Sequence, residues 1–261
     1  MRPTKERARQ WLDRWDRQQE VYNADREERF AVIADVVSLV TERPDPLIVD
    51  LGAGPGSLSI RLLDRIPGAR VVAIDGDPFL LGLGRAAYAD LGSLELVCHD
   101  LRDAGWVSAL ELPRPADAVV STTALHWLTR SELAEVYGAS GALLAPGGVL
   151  VNGDHLGEGP GRSRLDRLAI QVAGARADRV TALRGRTGVD DAEDWAGWWA
   201  AAGAAPELAD LLTERGARPV EHTVPDEPTL QDHLDLLDGS GFTEVGPVWS
   251  HGNDRVLVAL R

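Results

Sequence analysis

Residues 47–59 read LIVDLGAGPGSLS, and this stretch decides the fold. Its first three residues form an apolar, partly β-branched run that is typical of a buried parallel strand. Asp50 follows at the end of the strand, and GAGPG at 52–56 forces a tight turn without bulky side chains. Ser57 caps the next segment, in which apolar residues recur at helical spacing. A strand, a glycine turn and a helix N-terminus together make a site where a ligand can contact the backbone.

The spacing of the glycines separates two kinds of ligand site. Dinucleotide-binding folds use G-x-G-x-x-G, with the third glycine placed for packing of the helix beside a pyrophosphate. The spacing here is G-x-G-x-G, with an acidic residue two positions before the first glycine. A glycine-rich turn is a weak signal when it stands alone, so an ordinary βα turn that binds nothing is the alternative interpretation at this point.

Further strands follow in order. Residues 71–74 predict a second strand, and Asp75 ends it about twenty residues past the glycine turn, where an acid can accept hydrogen bonds from ribose hydroxyls. The remaining parallel strands are predicted at 94–98, 117–121 and 149–151. Near the C-terminus, residues 242–249 and 255–260 predict two strands joined by the turn SHGND, which favours an antiparallel hairpin.

This ordered set resembles the class I S-adenosylmethionine (AdoMet) dependent methyltransferases over residues 45–155 and the C-terminal tail. The ALHW stretch after the fourth strand is similar to the trans-aconitate methyltransferase-like, small-molecule branch. The resemblance implies an α/β fold: a seven-stranded Rossmann-like sheet with the last strand antiparallel, N-terminal helices, and a helical insertion after strand five that forms a lid. It also implies AdoMet as the cofactor.

The resemblance assigns cofactor roles residue by residue. The glycines let the backbone approach the methionine and ribose parts of AdoMet, Asp50 favours its positive charge, Asp75 holds the ribose, and Asp100 accepts the adenine amino group. The expected cofactor contacts are Asp50, Gly52, Ala53, Gly54, Gly56, Asp75, Gly76, Asp100, Leu101 and Ser121.

Four regions are expected along the chain. They are an N-terminal helical cap at 1–44, an AdoMet-binding core at 45–155, a helical insertion or substrate lid at 156–225, and a C-terminal helix and β-hairpin at 226–261. Substrate contacts are expected from Trp11, Trp15, Tyr22, Trp127 and Asp154; for the N-terminal aromatic residues, packing onto the core is the alternative. The tryptophans at 195, 198 and 199 predict an apolar wall, a core-facing helix or a dimer interface.

Two histidines are candidate catalytic bases. A base is needed only when the acceptor arrives protonated. His126 follows the fourth strand, and His155, with Asp154, ends the fifth at the same rim. The alternative for His126 is that it shapes the pocket or caps a helix. The histidines at 222, 233 and 251 have no assigned partner and are expected on the surface or in packing.

Missing signatures restrict the chemistry. The fourth strand ends in S-T-T instead of the N/D-P-P-Y/F signature, which argues against N-methylation of adenine, cytosine or glutamine. Metal-dependent catechol-type methylation needs an Asp at the end of strand four and an Asp-Asn pair after strand five. Asn152 and Asp154 occur at the second place, but Ser121 occupies the first, so no required metal is expected.

Composition restricts the partners. The net charge of −14 disfavours nucleic acid. No apolar run approaches the length of a membrane span, and the first twenty residues lack the apolar stretch of a signal peptide, so a cytoplasmic location is expected. Cys98 is the only cysteine, and its expected role is buried packing. The expected partner is a small-molecule substrate, with a homodimer left open.

The predicted function is AdoMet-dependent methylation of a small molecule, with an oxygen acceptor favoured, in bacterial secondary metabolism. One alternative keeps the fold and the cofactor but uses AdoMet for cyclisation or rearrangement, or binds it as a non-catalytic partner. A nicotinamide-dependent oxidoreductase is disfavoured by the glycine spacing and by the hairpin tail.

Overall fold

A seven-stranded sheet forms the centre of the protein in the computed structural model. The structure describes residues 2–159, 162–187, 193–218 and 227–261, without the side chains of 184–187. The strands are β1 (Leu47–Leu51), β2 (Arg70–Asp75), β3 (Leu94–Cys98), β4 (Ala116–Thr122), β5 (Leu144–His155), β6 (Glu244–His251) and β7 (Asp254–Leu260).

The strand order is β3-β2-β1-β4-β5-β7-β6. Strands β1 to β5 run parallel, whereas β7 lies between β5 and β6 and pairs antiparallel with both. This confirms the predicted fold class and its antiparallel last strand. The order reverses between β1 and β4, and in open α/β sheets the carboxyl ends of the strands at such a reversal flank the ligand crevice.

Helices cover both faces of the sheet. Their bounds are α1 (Lys5–Tyr22), α2 (Arg26–Val40), α3 (Ser57–Arg65), α4 (Pro78–Ala87), α5 (Trp106–Ala109), α6 (Arg130–Leu143), α7 (Ser163–Thr187), α8 (Trp195–Ala204), α9 (Ala209–Ala217) and α10 (Leu230–Asp238). Within the described residues, no helix is long and apolar enough to cross a membrane.

Successive side chains of β1 point to opposite faces of the sheet and so belong to two separate parts of the core. Ile48 points to the face covered by α2 and α3, with Phe30 and Leu58. Val49 points to the opposite face, covered by α6 and α10, with Tyr137. Both faces are apolar because the sheet is parallel at its centre and is buried on both sides.

A third apolar cluster lies beside the sheet and joins distant parts of the chain. Trp198 of α8 is fully buried against Trp11 and Trp15 of α1 and Phe79 of α4. Leu211 of α9 belongs to the same cluster. The two helices α8 and α9 therefore pack onto α1 and α4. The predicted region boundaries remain predictions, and the one at 225 lies outside the described residues.

The glycine turn needs its glycines for backbone conformation. Gly52, Gly54 and Gly56 have φ angles of 64°, 56° and 92°. In this left-handed region an L side chain is strained. A Cβ atom on Gly52 would also lie 2.3 Å from the Cβ atom of Ala124.

We expect Gly52→Ala to lower the free energy of unfolding by about 2–4 kcal/mol, because backbone strain and overpacking add together. Urea titration measures the loss. In a double-mutant cycle with Ala124→Gly, the overpacking part is recovered and the backbone part remains.

Gly138→Ala is the matched control, because Gly138 is an exposed residue inside α6 with open space around its Cβ position. This change should stabilise the helix slightly. If the cycle shows no coupling between positions 52 and 124, the contact between them does not constrain the turn.

Candidate active site

A cavity of about 950 Å³ opens at the carboxyl ends of the parallel strands. The glycine turn after β1, Asp75 at the end of β2, Thr123 after β4 and His155 at the end of β5 form its floor. Residues of α1 and α8, including Trp15 and Trp195, line it from the opposite side. The predicted site residues that line it are Gly52, Ala53, Gly54, Asp75, His126, His155, Trp15, Tyr22 and Trp127.

Asp75 is fixed by two backbone hydrogen bonds. The N–H of Gly54 donates to its Oδ2 atom at 2.7 Å, and the N–H of Asp77 donates to its Oδ1 atom at 2.7 Å. Burial raises the pKa of Asp75 to about 6, against the lowering effect of these two N–H groups. Each carboxylate oxygen can accept more than one hydrogen bond. The group is therefore oriented to accept hydrogen bonds from a ligand's hydroxyls.

Asp50 lies fully buried beneath the glycine turn. Its Oδ2 atom accepts a hydrogen bond from Ser59 Oγ at 2.6 Å, and its Oδ1 atom has no hydrogen-bond partner among the described residues. Burial raises the pKa of Asp50 to about 7, and the charge of Asp75 adds to this. The turn thus holds two carboxyl groups whose negative charge is poorly compensated. A ligand such as AdoMet, which carries a positive charge and hydroxyl groups, fits this pair of carboxyl groups.

The other predicted cofactor residues lie outside the cavity lining. Gly56 is the N-cap of α3, Gly76 lies against Asp100, and Ser121 donates from Oγ to the carbonyl of Leu51 at 2.8 Å. Asp100 itself pairs with Arg102 at 2.7 Å. Leu101 packs against the core face of α6 and α10. Their cofactor roles remain predictions.

His126 forms a close pair with Asp154. The ring Nδ1 lies 2.8 Å and 3.0 Å from the two carboxylate oxygens. Burial is the largest single effect on the pKa of the Asp154 carboxyl and raises it, but the charge and hydrogen bond of His126, with the charges of Arg29 and His155, together lower that pKa to about 2. Burial is likewise the largest single effect on His126 and acts to lower its pKa, but the charge and hydrogen bond of Asp154, with the charge of Glu227, together raise that pKa. The protonated form of His126 is therefore more stable than that of an ordinary histidine.

His155 differs from the predicted arrangement. Asp154 pairs with the ring of His126 instead, and accepts only the backbone N–H of His155, at 2.9 Å. Neighbouring residues of a strand point to opposite faces, which separates the two side chains. Burial lowers the pKa of His155. The cavity is therefore lined by one histidine whose pKa is raised and one whose pKa is lowered.

The aromatic residues divide into two groups. Trp15, Tyr22 and Trp127 line the cavity, as do Trp195 and Trp199. Trp11 instead packs edge-on against Trp198, with ring centroids 5.7 Å apart and only 3% of its surface exposed. For Trp11 the structure gives the packing alternative. Of the remaining histidines, His233 is buried and packs against Tyr137, as one of the two expected positions, and His251 contacts Asp25. His222 lies outside the described residues.

Several lining residues were not predicted from the sequence. Arg26, Gln19 and Asn23 line the cavity from the N-terminal helices and the turn between them. Arg215 of α9 lines it as well, paired with Asp77 at 2.7 Å. Thr123 has a φ angle of 48°, an unusual value for a non-glycine residue that often marks a functional site. The sequence carries no signal for the arginines, because they lie in charge-rich helices.

Comparison with known families identifies the core. Residues 48–148 match the family described as a methyltransferase domain. The matched residues include the glycine turn, Asp75 and Asp100. Among the described residues, no group of three His, Cys, Asp or Glu side chains suited to a metal ion occurs; that no metal is required stays a prediction.

Curated relatives are similar over part of their length. The chain is 34% identical over 176 residues to a trans-aconitate 2-methyltransferase of Rhodococcus jostii (strain RHA1), covering 66% of this chain and 63% of that protein. It is 33% identical over 168 residues to a trans-aconitate 2-methyltransferase of Azoarcus sp. (strain BH72), covering 62% and 61%. The chain thus spans about three fifths of the length of these relatives.

Solved structures support the fold of the chain. Magnesium protoporphyrin IX methyltransferase from Synechocystis PCC 6803 with bound SAH superposes with a TM-score of 0.55 at 17% identity, covering 96% of this chain and 94% of that chain. Human N-acetylserotonin methyltransferase in complex with SAM superposes with a TM-score of 0.52 at 16% identity, covering 95% and 56%. These likenesses concern the fold alone.

Because the Asp50 carboxyl is buried, we expect it to lower the free energy of unfolding of the ligand-free protein by an amount that depends on pH. Its pKa is about 7 when folded and about 3.8 ordinarily, so the folded state binds its proton more tightly. This decrease in the free energy of unfolding is absent below about pH 4, grows as pH rises and reaches its full size above about pH 7. We expect Asp50→Asn to raise the free energy of unfolding by about 1–2 kcal/mol near pH 8, with the gain shrinking as pH falls toward 5.

Urea unfolding of both proteins across this pH range measures the difference. Asp64→Asn, an exposed change in the neighbouring helix α3, controls for the loss of one charge. A gain for Asp50→Asn that is equally large at low and high pH would show that the carboxyl is not the source of the cost.

Proposed function

We propose that the protein transfers the methyl group of AdoMet to a small carboxylic acid and forms a methyl ester. The observation that carries this proposal is the pairing of His126 with buried Asp154 in the cavity that also contains the Asp75 cradle. The cavity thus joins a cradle for the cofactor to a histidine whose protonated form, stabilised by Asp154, would pair with an anionic acceptor. The whole reaction, including the choice of oxygen, is a proposal.

The glycine turn and Asp75 would hold the cofactor. Gly52 and Gly54 leave room for close approach to the backbone, Asp75 would accept hydrogen bonds from the ribose hydroxyls, and Asp50 would favour the positive charge through the turn. Bound AdoMet supplies an electrophilic methyl group. The work left to the protein is to align the acceptor and to exclude water, which supplies much of the acceleration in such displacements.

A carboxylate acceptor suits the protonation of the two histidines. A carboxylic acid is ionised at neutral pH, so its oxygen needs no base before it accepts a methyl group. Because Asp154 raises the pKa of His126, the imidazolium form of His126 would pair with an acceptor carboxylate. The curated relatives support this choice, since their names specify trans-aconitate, a tricarboxylate.

A hydroxyl acceptor is the second candidate, and His155 favours it. Burial lowers the pKa of His155, and its side chain lines the cavity. A neutral imidazole in this position is able to take a proton from a hydroxyl group. The two candidates differ in the sign of their pH dependence, because one needs a protonated histidine and the other a neutral one.

Binding measurements test the cofactor assignment. We expect Asp75→Ala to weaken S-adenosylhomocysteine binding by at least about tenfold, because it removes a charge-assisted acceptor. His126→Ala should change the same dissociation constant by less than about threefold, since we assign it to the acceptor side. Calorimetric titration with S-adenosylhomocysteine, AdoMet and NAD provides both values. The opposite order of effects, or binding of NAD alone, would contradict the assignment.

The pH profile of methyl transfer tests the acceptor. With isotope-labelled AdoMet and a panel of carboxylic acids that includes trans-aconitate, we expect kcat/KM to fall as pH rises through the raised pKa of His126. Asp154→Asn removes the charge that raises this pKa, so the fall should move to lower pH, mainly through KM. A profile that rises with pH and responds to His155→Asn supports the hydroxyl alternative. Absence of label transfer to every acceptor would contradict methyl transfer.

A further inference from the structure

Three aromatic side chains that line the cavity are exposed to solvent. Tyr22 at the end of α1 is 53% exposed, Trp195 at the start of α8 is 42% exposed, and Trp127 after β4 is 38% exposed. All three belong to the cavity lining. Large apolar side chains that stay exposed around an opening commonly mark a binding surface. A ligand that enters the cavity would cover these rings and remove them from water.

The exposed rings continue into an aromatic wall. The OH group of Tyr22 accepts a hydrogen bond from the backbone N–H of Trp195 at 3.2 Å, which joins the end of α1 to the start of α8. The Trp195 ring packs against Trp15 and Trp199, with centroids 5.4 Å and 5.7 Å away. Trp15 is buried, and both of these rings line the cavity as well. The wall opposite the glycine turn is thus an apolar surface that runs from solvent into the interior.

The arginines of the cavity lining lie at the cofactor end and are paired with acids. Nε of Arg215 lies 2.7 Å from Asp77, which follows Asp75 by two residues. Arg26 lies 3.0 Å from Asp16 of α1, and this acid also contacts the start of α3 directly after the glycine turn. Among the described residues, the cavity lining contains no other arginine and no lysine. The charge of both arginines is therefore compensated beside the proposed cofactor cradle.

The group suited to an anionic acceptor is His126. Its Nδ1 lies 2.8 Å from Asp154, so the protonated ring still offers its Nε2–H as a donor. The ring lies beside Trp127, with centroids 4.7 Å apart. Burial lowers the pKa of His155, the other histidine of the lining, and so disfavours its charged form. The acceptor end thus offers a donor for one carboxylate and apolar rings for the rest of the molecule.

We propose that the acceptor is a monocarboxylic acid with an extended apolar body, whose carboxylate pairs with His126 and whose body lies against the exposed aromatic rings. This inference rests on the proposed function and names its substrate class. In the transfer, a carboxylate oxygen forms a bond to the methyl carbon while the carbon–sulfur bond breaks. The electron pair of that bond stays on sulfur, so the products are the methyl ester and S-adenosylhomocysteine with an uncharged sulfur.

A tricarboxylate fits this lining less well. Its two further carboxylates would lie against aromatic rings without a cation, and the loss of their hydration is costly. The cavity volume of about 950 Å³ lies near the upper end of the usual range for ligand pockets. It therefore has room for an apolar body beside a nucleoside.

A panel of acids tests the inference with the wild-type protein and isotope-labelled AdoMet. We expect kcat/KM for decanoate to exceed that for hexanoate by at least about tenfold, because each fully buried methylene adds roughly fourfold. Decanoate should also exceed trans-aconitate by at least about tenfold. If trans-aconitate is a better acceptor than every apolar monocarboxylic acid, the inference is overturned and the proposed function stands. Absence of label transfer to every acid contradicts the proposed function itself.

Tyr22→Ala and Val21→Ala form a matched pair of variants. Both residues are exposed at the end of α1, but only Tyr22 lines the cavity. We expect Tyr22→Ala to lower the decanoate-to-hexanoate ratio of kcat/KM by at least about fivefold, because it removes a ring that covers the longer chain. Val21→Ala should leave this ratio within about twofold of the wild type. Equal effects of the two changes would overturn the inference.

Trp195→Arg adds a cation to the same wall. Trp195 is exposed at the first position of α8, so the new charge remains in contact with water. We expect kcat/KM for trans-aconitate relative to decanoate to rise by at least about tenfold, because the guanidinium would pair with a second carboxylate. An unchanged ratio in a variant whose circular dichroism matches the wild type overturns the inference. If this variant does not fold, the acid panel and the Tyr22 pair decide.

Discussion

The carboxylate of Asp75 joins two backbone segments, and the geometry of the crevice depends on this link. One oxygen accepts the N–H of Gly54 in the glycine turn, and the other accepts the N–H of Asp77 at the start of α4. The backbone adds a parallel link, since Ala53 N–H donates to the carbonyl of Ile74 at 3.1 Å. The turn after β1 is therefore shaped by the end of β2. Because β1 and β2 are held in register along their length, this shape follows from the sheet itself.

The same arrangement places electrostatic strain at the ligand site. Asp50 and Asp75 are both forced toward the neutral form by burial. Uncompensated groups of this kind persist where they serve a ligand, and the rest of the fold bears their cost. A ligand with a cationic centre would compensate these groups, which makes ligand binding and folding stability thermodynamically linked.

The parts of the fold that were predictable from the sequence are those with local signals. The run before Asp50 and the acid at 75 mark strand ends through residue type and spacing, so the sheet and its cradle follow from short-range pattern. The pairing of Asp154 with His126 joins residues 28 positions apart, and only the register of β5 beside β4 brings them together. Trp11 and Trp15 share one face of α1, and their different environments depend on where the tryptophans of α8 pack.

Helix α1 contacts two different parts of the cavity wall, the polar start of α3 and the aromatic residues of α8. Through Asp16, α1 contacts Ser57 at the start of α3, and through Trp15 it contacts α8 over the aromatic wall. A displacement of α1 would therefore change the environment of Arg26 and the aromatic lining together. Since Trp198 fixes α8 against α1 in a fully buried cluster, these contacts hold the wall in one arrangement. The N-terminal helix α1 thus helps to form the cavity, although the glycine turn and the acids that define the crevice follow or end strands of the sheet.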